Sequence, residues 1–561
     1  MNMRHLRPPP AIGINDEESQ EEVVAPEGMG THAYIHSNNQ IVVNRSGIVE
    51  AHVVQDEEIE SKGNERPRCR AILVVSCLLA LLVVVGVGAL VLYLTNSIGG
   101  TPSATPVPSP TTPPSPPDTL GPTAAPTPLL PAEEIACNFI GKPPLTDCRN
   151  TFQFDSSTGG DSTNGTTIPS EIGLLTQLSS FLVNGNNLRG SIPSSIFLLT
   201  RLMMLSFAEN ELTGSIPESI SFMTQLQGLW FSNNELTGTV PSSLSTLKLL
   251  TTLSFMGNRL TGTIPSSFSR LAELTYLRFS QNAFLGSIPA SFGSLTKLTN
   301  LFLDDNALTG SIPSSFGSLT MLGALSFAFN ALEGSIPSSF GNLTRLTSFE
   351  FQNNTLTGTI STAFASLTKL TQLLFDLNKF TGSIPYFIPN LTNLISISFS
   401  DNKLTGSIPS SMSGLNKLTG LWFDRNSLTG TIPVSLSNIT TLVALDMSQN
   451  NLSGTIPSSL SRLTELSSLD FLQNELTGTI PPSLSNLAKL AFLEFHNNSL
   501  TGSIPSSLSL LSSLEFLSLS ANELTGTVAS SLCLAAKVYI DKGEIQCDCC
   551  LCDRYSGDPC A

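Results

Sequence analysis

The sequence predicts an α/β solenoid of about 15 repeats of 24 residues, built around one long parallel sheet. The first indication is a row of asparagines, hereafter the ladder asparagines, that recur every 24 residues from Asn186 to Asn522. The second is the repeat motif around each of them, L-x-x-L-x-F-x-x-N-x-L-T-G-[ST]-I-P-S-S-[LF]-x-x-L-T-x. A fixed period in the twenties indicates a solenoid, because each repeat buries its apolar face only by stacking on its neighbours.

Residues 1–70 hold twelve acidic and seven basic residues and show no sustained apolar periodicity. This composition predicts a disordered acidic tail, since too little apolar surface is available to offset the entropy of ordering. The tail is too short for a kinase domain and lacks a glycine-rich phosphate loop with its lysine. A kinase in this tail is therefore excluded, whereas recruitment of a cytoplasmic or co-receptor signalling partner stays open.

An uncharged apolar run, residues 71–94, directly follows Arg66, Arg68 and Arg70. As a helix, this run is long enough to cross the ~30 Å hydrocarbon core of a bilayer. No lysine or arginine follows it until Lys142, so the positive-inside bias places the N-terminus in the cytoplasm. The sequence therefore predicts a single transmembrane helix that acts as a signal anchor, in a type II plasma-membrane protein whose repeats lie outside the cell.

Four further segments follow the predicted anchor. Residues 95–131 are rich in proline, threonine and serine, which predicts an extended stalk without a core of its own. Residues 132–177 are interpreted as a cysteine-containing N-terminal cap with a degenerate first repeat. The repeats occupy residues 178–532, and a cysteine-rich C-terminal cap occupies residues 533–561.

Each part of the repeat motif predicts a local structure. The L-x-x-L-x-F stretch alternates as a strand does when one face is buried. The asparagine is expected to place its amide inside the coil, where it bonds turn backbone that would otherwise be buried without a partner. The glycine of L-T-G permits a positive φ, and Ile-Pro is expected to make the return path non-helical.

The repeat motif resembles that of the plant-type extracellular leucine-rich repeats, LxxLxLxxNxLxGxIPxxLxxLxx, over residues 178–537. Phenylalanine replaces the third leucine in most repeats, as at Phe207 and Phe231, which predicts a phenylalanine spine in the interior. The resemblance implies a right-handed, curved superhelix whose parallel strands line the concave side. The order of tail, anchor, stalk, repeats and cysteine-rich end is also similar to the membrane-anchored, type II receptor-like proteins of diatom-like algae.

Cysteines and glycosylation sequons agree with an extracellular array. The cysteines lie where a solenoid needs caps, and an even number beyond the anchor is typical of disulfides in an oxidising compartment. Thiolate binding of a soft metal by C-D-C-C-L-C is the alternative. The predicted disulfide cysteines are Cys137, Cys148, Cys533, Cys547, Cys549, Cys550, Cys552 and Cys560, with Cys137–Cys148 as the one expected pair. The predicted N-glycosylation sites are Asn164, Asn342, Asn353, Asn390, Asn438, Asn451 and Asn497.

The candidate ligand-binding residues come from the strand positions that vary. The residue four positions before each ladder asparagine is expected to face solvent on the concave side, and both tryptophans of the protein, Trp230 and Trp422, fall in this column. Tryptophan is enriched at binding hot spots, although drift on an unconstrained face is the alternative. Arg278 and Phe302 occupy the same column between them.

Acidic residues crowd the C-terminal half of this face, at Asp424, Asp446, Asp470 and Glu494. Their strands are expected to lie about 4.8 Å apart, and like charges directly opposite one another are destabilising. A basic peptide, another cationic ligand or a calcium ion would relieve that repulsion, and so would high salt. We expect a partner with a basic portion to bind between Trp422 and Glu494.

Two function classes fit the sequence. The first is a membrane-anchored recognition protein, receptor-like but without a kinase, that binds an extracellular peptide, protein or glycan on its concave face. The second is a structural or adhesive surface protein whose repeats act as a stiff glycosylated rod. The net charge of −16 argues against nucleic acid as a partner. An enzyme is not expected, since His496 is the one histidine beyond the anchor and a flat sheet offers no closed pocket; no cofactor or metal site is predicted.

Overall fold

The computed structural model describes residues 135–136, 138–139, 153–155, 165–535, 537–540, 545–546 and 551–552. The predicted tail, anchor and stalk, and most of the two predicted caps, lie outside these residues. Within the described ranges, no helix combines the length and the apolar character that crossing a membrane requires. The predicted anchor at residues 71–94 therefore stays a prediction.

One repeat contains two strands and a short helix, as the repeat around Asn258 shows. A strand at Thr252–Ser254 is formed by the L-x-x-L-x-F stretch, because its leucine and phenylalanine alternate into the interior. A second strand, Arg259–Thr263, covers the N-x-L-T-G segment. A 3-10 helix, Ser266–Arg270, begins directly after Pro265, whose backbone is still extended at φ −65° and ψ 120°.

The first strands of successive repeats pair in parallel and form one sheet of 18 strands, hereafter the long sheet. Neighbouring strands are in register one repeat apart, as Leu253 opposite Leu277 shows. The predicted long parallel sheet is thus confirmed. Its strands are Gln153–Asp155, Ser180–Leu182, Met204–Ser206, Gly228–Trp230, Thr252–Ser254, Tyr276–Arg278, Asn300–Phe302, Ala324–Ser326, Ser348–Glu350, Gln372–Leu374, Ser396–Ser398, Gly420–Trp422, Ala444–Asp446, Ser468–Asp470, Phe492–Glu494, Phe516–Ser518, Lys537–Ile540 and Leu551–Cys552.

A second parallel sheet, which the sequence did not predict, contains 14 strands and runs through the N-x-L-T-G segments. The glycine of each L-T-G adopts a positive φ, 75° at both Gly286 and Gly310, as predicted. The strands are Thr237–Thr239, Arg259–Thr263, Ala283–Ser287, Ala307–Ser311, Ala331–Gly334, Thr355–Gly358, Lys379–Ser383, Lys403–Gly406, Ser427–Thr431, Asn451–Thr455, Glu475–Gly478, Ser499–Ser503, Glu523–Thr527 and Ile545–Gln546. Two earlier segments of this type, Arg189–Ser191 and Glu211–Thr213, pair with each other.

The prediction of a non-helical return path was wrong, because 3-10 helices follow the Ile-Pro step in successive repeats. Proline holds an extended cap residue, and the small residues behind it allow one tight turn with i to i+3 hydrogen bonds. These helices are Ser170–Leu174, Ser194–Leu198, Glu218–Phe222, Ser242–Thr246, Ser266–Arg270, Ala290–Ser294, Ser314–Ser318, Ser338–Asn342, Thr362–Ser366, Ile388–Asn390, Ser410–Gly414, Val434–Asn438, Ser458–Arg462, Pro482–Asn486 and Ser506–Leu510. One α-helix, Ser530–Ala535, follows them.

The predicted phenylalanine spine is confirmed between the sheets and the 3-10 helices. Phe207, Phe231, Phe255 and Phe279 are fully buried, and successive rings stack with centroids 5.5–5.7 Å apart. Stacked aromatic pairs stabilise by about 0.5–1.5 kcal/mol beyond the area they bury. The spine ties each repeat to the next, which is how a solenoid acquires its core.

The ladder asparagines lie inside the coil, as predicted, and Asn330 shows their bonding. Its side-chain oxygen accepts a hydrogen bond from the backbone N–H of Leu308, at 3.0 Å. Its side-chain NH₂ donates to the carbonyls of Leu303, Phe327 and Ala328, at 3.0, 3.2 and 3.0 Å. One amide therefore joins two repeats through hydrogen bonds to the backbone of both.

Candidate ligand-binding face

The column four positions before the ladder asparagines runs straight across the long sheet. Trp422 lies opposite Asp446, Asp446 opposite Asp470, and Asp470 opposite Glu494. At the other end of the sheet, Trp230 is separated from Arg278 by one strand. The register thus places the predicted residues in the neighbourhoods that the 24-residue period implied.

The expectation that this column is open to solvent was wrong. Its residues are half-buried or buried, and Asp470 and Glu494 are each only 2% exposed. Asp424, which lies two positions after Trp422 in the same repeat, is 6% exposed. Parallel strands lie about 4.8 Å apart and are in register, so side chains of one column cover one another. The face is therefore a packed surface, on which only the half-buried side chains remain partly accessible.

The six-membered ring of each tryptophan lies over a glycine of its own strand. A Cβ atom built on Gly228 would come 2.2 Å from the indole of Trp230, and one built on Gly420 would come 1.9 Å from the indole of Trp422. Both distances are shorter than any real Cβ contact, so no other residue permits this ring position. Both tryptophans are half-buried.

The sequence contains a signal for this arrangement that the sequence analysis missed. Glycine stands six positions before a ladder asparagine only at Gly228 and Gly420, and these are the two repeats that carry tryptophan. The G-L-W tripeptide thus defines the position of the indole as well as its presence. Steric exclusion at the glycine is the physical cause.

The acidic row has few hydrogen bonds. Asp446 accepts one from the backbone N–H of Ser448 and Asp470 one from that of Leu472, both at 2.9 Å. The Oε2 atom of Glu494 is buried and has no hydrogen-bond partner among the described residues. Such a group costs free energy unless it is protonated or meets a donor.

Burial changes the protonation of the row. It raises the pKa of Asp446 to about 8, with the charge of Asp470 adding to the shift, and it raises the pKa of Glu494 to about 8, helped by the charge of Asp446. Burial also raises the pKa of Asp470 and of Asp424 well above the usual range, and the charges of Glu494 and Asp446 respectively add to these shifts. The predicted acidic face is thus a largely neutral carboxyl row near neutral pH.

One arginine lies at the edge of this row. Arg425 forms a salt bridge of 2.6 Å with Asp401, and the same guanidinium nitrogen lies 3.9 Å from a carboxyl oxygen of Asp424. Ser400 donates a short hydrogen bond to Asp424. The Nε atom of Arg425 is buried and has no partner among the described residues. The negative charge of the row is therefore only partly balanced by a positive charge on the same surface.

The other end of the face combines aromatic rings with a cation. The guanidinium carbon of Arg278 lies 5.3 Å from the ring centroid of Phe302, within cation–π range. Tyr276 packs edge-on against the same ring, with centroids 6.0 Å apart. Trp230, Tyr276 and Arg278 line an open depression of about 360 Å³. The structure therefore brings Trp230, Arg278 and Phe302 together, at a distance from Trp422 along the sheet.

Sequence and structure comparisons agree on the family. The model of a leucine-rich repeat region matches residues 233–399, and a single-repeat model matches residues 393–415, 441–463, 465–487 and 489–511. Over 70% of its length, the chain is 33% identical to the solved structure of a TDR receptor, of which it covers 69%, with a TM-score of 0.65. The chain belongs to the leucine-rich-repeat family. No curated protein sequence matches it significantly.

Two further leucine-rich-repeat structures are similar. The plant peptide hormone receptor RGFR1, solved in complex with RGF2, is 34% identical over 67% of this chain, with a TM-score of 0.62. The Arabidopsis receptor kinase HAESA, solved with the peptide hormone IDA and the co-receptor SERK1, is 31% identical over 70% of this chain, also with a TM-score of 0.62. This chain spans 65% of the RGFR1 structure and 68% of the HAESA structure.

The other predicted sites of this leucine-rich-repeat protein have different outcomes. Asn342, Asn353, Asn390, Asn438, Asn451 and Asn497 are exposed, and their glycosylation stays a prediction. Asn164 lies outside the described residues, and so do the side chains of all eight predicted disulfide cysteines. His496 shares a hydrogen bond of 3.0 Å with Ser518, through its Nδ1 atom.

Proposed function

We propose that this leucine-rich-repeat protein is a cell-surface, membrane-anchored recognition protein that binds an extracellular peptide or protein on the long sheet. The membrane anchor in this proposal is the apolar run at residues 71–94. The binding region is Trp422 with the carboxyl row of Asp446, Asp470 and Glu494, and the preferred partner carries a basic portion. In this proposal the repeats contribute recognition.

The observation that carries the proposal is the indole of Trp422, which lies over Gly420 directly beside the carboxyl row. In that row the buried Oε2 atom of Glu494 has no hydrogen-bond partner among the described residues. A rigid indole gives a partner a large contact area at low entropy cost. Similarity to RGFR1 and HAESA, whose structures contain peptide hormones, supports a peptide or protein as the partner.

Binding in this region is coupled to proton release. A lysine or arginine that approaches Asp446, Asp470 and Glu494 stabilises their ionised forms, so the raised pKa of each carboxyl falls when the partner binds. The buried Oε2 of Glu494 would gain a donor at the same time. Affinity for a basic partner therefore increases as the pH rises from about 6 to about 8.

The test is a randomised peptide library selected against the full chain, followed by calorimetry of the enriched peptides. The expected peptides are rich in lysine or arginine, and Trp422→Ala and Asp446→Asn each weaken their binding at least tenfold, or about 1.4 kcal/mol. Gly420→Ala keeps the indole but displaces it, and weakens binding as well. Glu465→Gln, at an exposed salt bridge with Lys489, is the matched charge control.

The proposal fails if the selected peptides show no basic bias and bind both variants like wild type. The repeats would then serve as a rod, the structural or adhesive function that the sequence also allowed. In that case shortening the array would change surface adhesion, while substitutions on the long sheet would not.

A further inference from the structure

The depression beside Trp230 differs in chemistry from the region around Trp422. Of the side chains that line it, Ser232, Thr252 and Ser254 bring hydroxyl groups, and Tyr276 brings a phenol. The hydroxyls of Ser232 and Ser254 are 2.7 Å apart and share one hydrogen bond. A hydroxyl-lined, open depression of about 360 Å³ suits a polar ligand better than an apolar side chain.

The wall of the depression is an aromatic surface of fixed orientation. The indole of Trp230 lies over Gly228, where any Cβ atom would collide with it. The half-buried indole thus lines the depression beside the hydroxyl groups of Ser232, Thr252 and Ser254, so that an apolar ring and polar groups lie side by side. A sugar ring has the matching shape, since its C–H groups form a flat apolar face and its hydroxyls project from the edge.

Arg278 gives the depression a positive charge. Its Nε atom is buried without a hydrogen-bond partner, and within the described part of the chain no carboxylate forms a salt bridge with it. Asp304 and Glu350 interact electrostatically with Arg278. Burial nevertheless raises the pKa of both carboxyls, so each is ionised to a smaller extent than a carboxyl in water. The guanidinium therefore retains donors for an anion from outside.

We infer that the depression formed by Trp230, Tyr276 and Arg278 binds an acidic saccharide, with a sugar ring stacked on the indole and its carboxylate on the guanidinium. This inference goes beyond the proposed function, which concerns a basic partner at Trp422. A sugar is favoured over a peptide because the backbone groups of these strands are already paired within the sheet, as between Tyr276 and Thr252. An extended peptide chain would find no main-chain partners there.

The experiment is calorimetry of the full chain with trigalacturonate, with its methyl ester and with a short polyglutamate peptide. The ester keeps every sugar ring but removes the negative charges. Trigalacturonate is expected to bind at least tenfold more tightly than the ester or the peptide. Arg278→Gln and Trp230→Ala should each weaken its binding at least tenfold, and Gly228→Ala should weaken it by displacing the indole without removing it.

Arg270→Gln is the matched control, since Arg270 is exposed at the end of a 3-10 helix away from the depression and its loss changes the net charge equally. This variant should bind trigalacturonate like wild type.

Equal binding of the ester would refute the role of Arg278, and equal binding of polyglutamate would make the occupant an acidic peptide. No measurable heat with trigalacturonate would overturn the inference. Basic peptides selected for the Trp422 region should still bind Arg278→Gln, so the two proposals fail separately.

Discussion

The carboxyl row makes the stability of the repeats depend on pH, and Asp446→Asn isolates this effect. Asp446 has a pKa of about 8 in the folded chain, against about 4 for an unfolded aspartate. Between these values the folded state holds a proton that the unfolded state has released. The free energy of unfolding therefore falls as the pH rises through this window.

The magnitude follows from the proton count. One proton bound only in the folded state changes the free energy of unfolding by about 1.4 kcal/mol per pH unit. Asparagine is neutral at every pH and keeps an oxygen for the N–H of Ser448, so it mimics the protonated side chain. Relative to wild type, Asp446→Asn should gain about 1–3 kcal/mol between pH 5.5 and 7.5, because neighbouring carboxyls share part of the titration.

Denaturant unfolding at several pH values, followed by tryptophan fluorescence, measures this difference, since Trp422 lies opposite Asp446 on the next strand. Glu465→Gln is the control, because it makes the same carboxyl-to-amide change at an exposed salt bridge. A difference between Asp446→Asn and wild type that stays constant across the pH range would refute the reasoning. It would mean that Asp446 is ionised in the folded chain throughout.

Three further predictions concern the interior and the topology. Asn330→Ala should lower the free energy of unfolding by about 1–3 kcal/mol in denaturant titrations, because buried backbone groups lose their partner, whereas Ala at the exposed Asn416 should have no measurable effect. Phe255→Ala should cost about 3–5 kcal/mol by leaving a cavity in the spine, unlike Phe222→Ala, at a ring that is 58% exposed. Residues 44–46, N-R-S, form one more sequon, in the predicted cytoplasmic tail. Glycopeptide mapping should find glycans on exposed sequons of the repeats and none on Asn44; a glycan on Asn44 would reverse the predicted membrane orientation.

Part of the candidate site could be predicted from the sequence and part could not. The 24-residue period placed Trp422, Asp446, Asp470 and Glu494 on adjacent strands, because parallel register follows from repeat length alone. Their burial could not be predicted, since it depends on how side chains of one column cover each other. For that reason the row expected to be charged is largely neutral near neutral pH.

The return path of each repeat shows the same limit. Ile-Pro correctly indicated an extended residue, but the 3-10 helix directly after it was not predicted. The backbone before each ladder asparagine is left-handed even at Phe329 and Leu377, with φ of 51° and 52°. Bulky residues disfavour this conformation locally, so only the surrounding ladder of hydrogen bonds explains it.

The sequence by itself determined the repeat, the parallel sheet, the interior amide ladder and the phenylalanine spine. These features are periodic, and each depends on contacts between equivalent positions that one period brings together. Tertiary structure alone decided the second sheet, the burial of the candidate face and the protonation of the carboxyl row. These depend on distances of a few ångströms between side chains of different repeats, as the burial of Asp470 and of the Oε2 atom of Glu494 shows. Such distances are properties of packing, which no single repeat contains.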